Sequence, residues 1–414
     1  MTTGYNKNIC FKIIDVIMMG YAIALLTRII RGAILSCGFY TYNITEFLIN
    51  YQGGYVRRGL FGEILYKIYQ LVPNFDPRWI IVPLCSVCFI LFVWFILKKF
   101  KENNFCWWIL PLSVCLFGAI DIIRKDYMCM LMASLILYSF VKIPSVSLKY
   151  AAVSLLSILI INLHECSFFF IGCFLLLMMA KDKGSVQGWK LMGIACLLTS
   201  MGIVCIFKGN RDIAYQIWSS WEFYPNHLFD SSSNDSIRAL EWNSIDTFKT
   251  HFSMNFLTYS HGILCWFSKP IIWCTTIYVT LNIMFIRRGW ENNRCSDDTK
   301  RLLSIMMIQF VSLIPMFTVL SCDGSRVCFY WTLSSMLIYF IIPNDKCLEV
   351  IPRHVQTIAE KLQRIIYFRH STKLAIFLMM FLSITNVGTD LRCCIENSVI
   401  GVYHLLFQYI ITGL

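Results

Sequence analysis

The sequence predicts an all-α, polytopic transmembrane helix bundle of about 11–12 spans, with an external amphipathic helix and one large external loop. Three observations predict it. Of 414 residues, 57% are hydrophobic and only 14% charged, a balance that leaves too much apolar surface for a soluble protein and suits one dissolved in lipid. Apolar stretches near the roughly 20 residues that a helix needs to cross the hydrocarbon core alternate with short polar connectors. Most of the 36 lysines and arginines fall in every second connector, as they do on the cytoplasmic side of a membrane.

The spans are expected at 11–36, 79–97, 105–123, 127–142, 148–163, 166–180, 189–207, 262–286, 302–320, 327–343, 373–390 and 396–412. The chain 1–414 is read as a single integral membrane domain. No cleavable signal peptide is expected, because the first apolar run is long and lacks a small-residue cleavage site. Leu60 to Val72 carries apolar residues at helical spacing together with Glu63 and Lys67, which describes an amphipathic helix lying at the interface. With the N-terminus in the cytoplasm, the basic connectors around Lys98, Lys149, Lys183 and Arg288 lie inside, as does the basic segment 344–373. That segment mixes cations with Ile351, Val355, Ile358, Leu362 and Ile366, the pattern of an amphipathic helix against an anionic leaflet.

The formal charge of +12 therefore reflects membrane orientation, and no nucleic-acid partner is expected. Most of the nineteen cysteines, among them Cys85, Cys129 and Cys173, sit within apolar runs as small hydrophobes. Cys393-Cys394 lacks metal-ligand spacing. No P-loop, dinucleotide fingerprint or serine elbow is present. Neither a metal nor another cofactor is expected.

On this threading the unusual polar motifs share the external side. The first external loop, 40–78, holds Glu46 and Gln52-Gly53-Gly54-Tyr55-Val56-Arg57-Arg58-Gly59. Paired glycines permit a tight turn or close approach to a ligand, and adjacent guanidinium forks suit phosphate oxygens; the alternative is two arginines reaching toward lipid headgroups. Arg124-Lys125-Asp126 joins two apolar spans almost without a loop, where charge is costly unless paired or solvated. Asp121 is one turn earlier. His164-Glu165 begins like H-E-x-x-H, but Phe168 removes the second histidine, so a zinc face cannot form. What remains is a carboxylate beside an imidazole, suited to proton transfer. Asp323-Gly324-Ser325-Arg326 places an acid and a cation three residues apart, either paired with each other or facing the shared cavity. The large external loop, 208–261, contains Trp218, Trp221 and Trp242 and is expected to form short helices covering the site as a lid.

Cations and acids at one membrane face suit a lipid-linked phosphate or diphosphate. Arg57, Arg58, Arg124, Lys125 and Arg326 are the expected diphosphate-binding residues, and Glu165, His164, Asp323 and Glu46 the expected catalytic ones.

In layout, and in the Gln-Gly-Gly-Tyr-Val-Arg57-Arg58-Gly-Leu and Asp323-Gly-Ser-Arg326 segments, the chain resembles the Wzy-type O-antigen and capsule polymerases and other membrane proteins of bacterial surface-polysaccharide clusters. Glu46 is positioned similarly to the first-loop acid of GT-C-class lipid-dependent glycosyltransferases. The resemblance implies a bacterial inner-membrane enzyme that polymerises undecaprenyl-diphosphate-linked oligosaccharide repeat units at the outer face, with membrane lipid and a chain-length regulator as candidate partners. It departs from the polymerase pattern in its large loop, where only Arg211 and Arg238 occur. A polysaccharide O-acyltransferase using His164 as base, and a flippase or exporter of lipid-linked sugars, are the alternatives.

Overall fold

The computed structural model describes residues 2–35, 37–72, 74–103, 105, 107, 122–182, 186–231, 235–242, 244–253, 297–321, 323–368 and 398–412. Among these residues the secondary structure is entirely helical. Apolar runs form helices because a helix satisfies every interior N–H and C=O within its own segment, which no other single segment can do in lipid.

The helices are α1 (Thr2–Leu35), α2 (Tyr42–Leu48), α3 (Gly59–Leu71), α4 (Arg78–Glu102), α5 (Asp126–Lys142), α6 (Val146–Leu163), α7 (Phe168–Lys181), α8 (Gln187–Ile206), α9 (Arg211–Ser219), α10 (Ser244–Phe252), α11 (Asp297–Pro315), α12 (Gly324–Ile341), α13 (Asn344–Val350), α14 (Arg353–Phe368) and α15 (Val399–Thr412). Among the described residues, five helical stretches are long and apolar enough to cross a membrane: Lys12–Leu35, Arg78–Glu102, Val146–Leu163, Gln187–Ile206 and Asp298–Leu320. Shorter apolar helices are Phe168–Lys181, Arg326–Ile341 and Val399–Gln408. The spans expected at 262–286 and 373–390, and almost all of 105–123, lie outside the described residues.

These helices are apolar on their outward faces as well as their packed ones. In α4, Phe92 and Ile96 are buried while Trp79, Ile90 and Trp94 are exposed. A helix hydrophobic all round needs either protein or lipid on every side. α4 packs on α5, α5 on α6 and α12, α6 on α8, and α11 on both α12 and α14. Buried apolar side chains from these helices form one contiguous cluster.

π-Helical turns occur at Phe168–Gly172, at the start of α7, and at Met316–Leu320, following α11. Both lie directly beside polar motifs singled out in the sequence. Such turns carry an extra residue and re-aim the side chains around them.

The expected interfacial helix is α3, and the large loop contains the expected short helices, α9 and α10, with 3₁₀ turns at Asn226–Leu228 and Arg238–Glu241 between them. This loop is bolted to the first one. The Trp221 indole donates to the Leu48 carbonyl at 2.9 Å, the Asn50 amide to the Ser220 hydroxyl at 2.8 Å, and the Ser236 amide to the Thr45 hydroxyl at 2.9 Å. Trp218 and Trp221 are fully buried and anchor this part of the loop, while Ala239, Trp242, Thr247 and His251 of the same loop line the cavity described below.

At the opposite pole of α11, Lys300 pairs with Glu360 of α14. The Arg301 guanidinium donates to the Tyr339 carbonyl at 3.2 Å and stacks 4.0 Å above that ring. The basic segment thus forms two helices, with α14 anchored to the bundle and Ile358 and Leu362 facing outward.

Candidate functional site

The tight turn at Gln52-Gly53-Gly54 sets the position of both arginines. Asn50 accepts from the Gln52 amide at 3.1 Å, and Glu63 of α3 accepts from the Tyr51 amide at 3.0 Å. Gly54 has φ +106°, a region that favours glycine. A side chain at Gly53 would meet the Ile213 backbone 2.8 Å away. Turn geometry and contact with the neighbouring loop therefore account for the two glycines, the first of the two readings that the sequence offered. The Tyr55 hydroxyl donates to Asn162 of α6, and the Arg57 amide donates to the Phe207 carbonyl at 2.9 Å.

Arg58 follows at φ 64°, the left-handed region uncommon for a residue with a side chain. It precedes α3 and sends its guanidinium back into the bundle. Nε and Nη2 donate to Glu165 at 2.8 and 2.6 Å, and Nη1 donates to Glu46 at 3.2 Å. Arg57 Nη1 reaches the same Glu165 at 3.3 Å.

Glu46, on α2, is fully buried behind this pair. Burial works to raise its pKa, but the His164 hydrogen bond and the charge of Arg58 hold it well below the usual carboxylate range. Glu165 is held there too: burial opposes ionisation, and Arg58, His164 and Arg57 outweigh it. Both carboxylates are anionic. Burial lowers the pKa of His164, and Arg58 lowers it further, so the imidazole is neutral. Its Nδ1 accepts from the Cys166 amide at 3.3 Å, and its Nε2 lies 3.4 Å from Glu46.

Asp126 anchors a second cluster. Arg326 of α12 donates to it through Nε at 3.0 Å and Nη2 at 2.8 Å, and the Tyr330 hydroxyl, one turn further along α12, donates to the same oxygen. Arg326 Nη2 also stands 3.2 Å from His164 Nε2, joining the two clusters. Arg124 Nε lies 3.5 Å from the other Asp126 oxygen, beyond hydrogen-bonding reach. Asp323 accepts from the Arg326 backbone amide at 3.1 Å, capping α12. The Arg326 guanidinium extends to Asp126, so the direct Asp323–Arg326 pairing envisaged from spacing gives way to a helix cap.

A cavity of about 650 Å³ opens over these groups, within the range of roughly 300–1,000 Å³ common for ligand pockets. Its wall includes Arg57, Arg58, Arg124, His164, Glu165, Asp323 and Arg326. Four sequence motifs thus meet at one chamber.

Two of the expected residues take another place. Glu46 is not on the wall; it braces Arg58 and His164 from behind. Lys125 is fully buried, donates to the Arg58 carbonyl at 3.2 Å and lies 5.3 Å from the centre of the Phe47 ring. Burial pushes its pKa down to about 8. Its ammonium is occupied with the protein backbone instead of a ligand.

Arg57 and Arg124 differ from the other two wall arginines. Arg58 and Arg326 are clamped by carboxylates, whereas the Nε atoms of Arg57 and Arg124 are buried without a hydrogen-bond partner among the described residues. A buried donor left unmade is costly, and both side chains line the cavity, so the charge of each is available to an anion bound there. Sequence reasoning missed Tyr330 and His251, which also line the cavity, as does Trp242 of the loop expected to cover it. Tyr330 was detectable, since it stands four residues after Arg326 on the same helical face. Asp121 lies outside the described residues.

No protein-family model, curated protein or solved structure matches this chain. The geometry of the chamber therefore carries the functional argument. Among the described residues there is no group of three or more His, Cys, Asp or Glu side chains arranged to hold a metal ion.

Proposed function

We propose that the chain is a membrane glycosyltransferase of bacterial surface-polysaccharide assembly, joining polyprenyl-diphosphate-linked oligosaccharide repeat units in the manner of an O-antigen or capsule polymerase. The observation that carries this reading is the pair of incompletely satisfied arginines, Arg57 and Arg124, on one wall of a chamber embedded among apolar helices. In this reading the chamber faces the outer side of the bacterial cytoplasmic membrane and the N-terminus lies inside.

The diphosphate occupies the space before Arg57 and Arg124. As the bond between the anomeric carbon and the diphosphate oxygen breaks, negative charge grows on the leaving group, and the two guanidinium groups offset it. Arg58 and Arg326, locked by Glu165 and Asp126, keep the field of the chamber positive without having to move. The attacking hydroxyl must lose a proton. Glu165 is a poor acceptor because its arginine partners favour the charged form, whereas Asp323 lies on the wall with its position fixed by the α12 cap, and we assign it as the general base. Both ring nitrogens of His164 are engaged, Nδ1 by the Cys166 amide and Nε2 between Glu46 and the Arg326 guanidinium, which weakens the O-acyltransferase alternative that would use it as base.

The test is the surface-polysaccharide ladder from cells lacking the chain, restored with wild type, Arg57→Ala, Arg124→Ala or Asp323→Asn. A polymerase predicts that the null strain retains a single repeat unit and loses the ladder, and that each variant fails to restore it. A normal ladder in the null strain, or restoration by all three variants, rejects the reading. Loss of the single unit as well points to export of the lipid-linked sugar.

A further inference from the structure

A second cavity, of about 230 Å³, adjoins the first. The two share Arg57, Arg58, His164 and Glu165 together with Trp242, Thr247, Met316 and Leu320, and beyond these shared residues their walls differ in kind. The larger continues over Arg124, Asp323 and Arg326. The smaller continues over Phe169, Met201, Val204, Cys205 and Phe248, side chains with no charge, with Lys208 at its rim.

The smaller cavity also reaches the outside of the bundle. Cys205 lines it and is exposed, and Phe248 lines it and is 42% exposed. The final turns of α8, where Cys205 lies, present Leu198, Ile203 and Ile206 to the exterior, on a helix long and apolar enough to cross a membrane. An apolar channel therefore leads from the shared arginine wall to a lipid-facing helix surface.

We propose that this smaller cavity holds the first apolar segment of the polyprenyl tail of the diphosphate substrate, with the phosphates at Arg57 and the sugar projecting into the larger chamber. This rests on the glycosyl-transfer reading for the identity of the lipid. The division follows from matching each wall to one part of a single amphiphile. Apolar carbon gains by leaving water for the Met201 and Val204 wall, and the Arg57 guanidinium, on the wall of both cavities, meets the phosphate at the junction. The rest of a long tail continues along the outer face of α8 in the bilayer.

The direct test is binding to the full chain in lipid nanodiscs, with farnesyl diphosphate and inorganic diphosphate as the two probes. Burying even two methylene groups is enough for about a tenfold gain in affinity, so wild type is expected to bind farnesyl diphosphate at least about tenfold more tightly than inorganic diphosphate. Cys205→Trp fills the channel from an exposed position and is expected to remove that advantage while leaving inorganic diphosphate binding unchanged, which also shows that the variant is folded. Met201→Trp should do the same from the inner wall, and Arg57→Ala should weaken both probes. Equal affinity of wild type for the two probes, or an advantage that survives both tryptophan substitutions, overturns the tail subsite. A ladder that still depends on Arg57 would then leave the glycosyl-transfer reading standing. Conversely, a channel-dependent preference in a chain whose deletion leaves the ladder normal would retain the subsite and reject the polymerase.

Discussion

Arg58 and Glu165, 107 residues apart in sequence, face each other fork to fork, with the arginine Nε and Nη2 donating to the carboxylate at 2.8 and 2.6 Å. The contact joins the first loop to the turn after α6 and sets the orientation of the whole arginine wall. Bidentate geometry of this kind is specific to arginine, because a lysine presents a single point charge.

Glu165→Gln leaves Arg58 buried against an uncharged amide. Removing one partner of a buried pair costs about 3–5 kcal/mol, and thermal unfolding in detergent should show a correspondingly large loss. Arg58→Lys should recover little of the stability of wild type, since the fork is absent. A change of less than about 1 kcal/mol in both variants would mean that the pair does not organise the fold.

The same carboxylate sets an acid limit. Its folded pKa lies well below the ordinary value of about 4.3 for glutamate, so its contribution to stability is complete above that pH and is lost as pH falls through the lower, folded value. Melting curves from pH 6 downward should therefore show wild type exceeding Glu165→Gln by a constant margin to about pH 4, with the margin closing below. A margin that closed between pH 6 and 5 would contradict the arrangement.

Lys125 adds a slope of the same sign in an alkaline window. With its folded pKa near 8 and the unfolded value near 10.4, the unfolded chain binds more protons between these limits, and stability attributable to this lysine rises with pH across that window. The charged groups about it are Glu46, Arg58 and Glu165. Lys125→Met should flatten the rise between pH 8 and 10, which chemical denaturation at stepped pH would detect; an unchanged slope would show that the ammonium is well solvated.

Gly62 of α3 lies directly against the carbonyl of Ile49, where an added Cβ would collide with backbone. Gly62→Ala should therefore destabilise by about 1–3 kcal/mol although alanine favours helix. The measurement is the denaturation midpoint relative to wild type, and a neutral or stabilising effect would show that α3 and the first loop can separate without cost.

Helicity, membrane-compatible segments and the four polar motifs were legible because each is written locally, in apolar run length or in a short cluster of charge. The assignment of charge to charge was not. Arg124-Lys125-Asp126 reads as three neighbouring charged residues, yet Lys125 turns to the Arg58 carbonyl, Asp126 to Arg326, and Arg124 to the cavity wall. Three successive residues around a turn point in different directions, and only the packing of α5 against α12 decides which partner each meets. Gly53 is a second case: its residue type correctly signalled close approach, but the approaching group is Ile213, contributed by a loop far along the chain. The long polar loop was recognised by length and polarity, whereas its attachment through Trp221 and Ser220 depends on contacts with residues 48 and 50.

The π-helical turns at Phe168–Gly172 and Met316–Leu320 make the chamber sensitive to chain length as well as composition. Each carries one residue more than an α-helical turn spanning the same rise. Deleting any single residue within either segment would permit ordinary α winding, and the polar residues on its flank, His164 and Glu165 in one case and Asp323 in the other, would have to rotate or shift along the axis to follow. Substitutions that preserve bulk are absorbed locally, while a deletion is transmitted to the reacting groups. Spacing is therefore itself part of the site, and variants that differ in length at these two places are expected to lose function even when every charged side chain is retained.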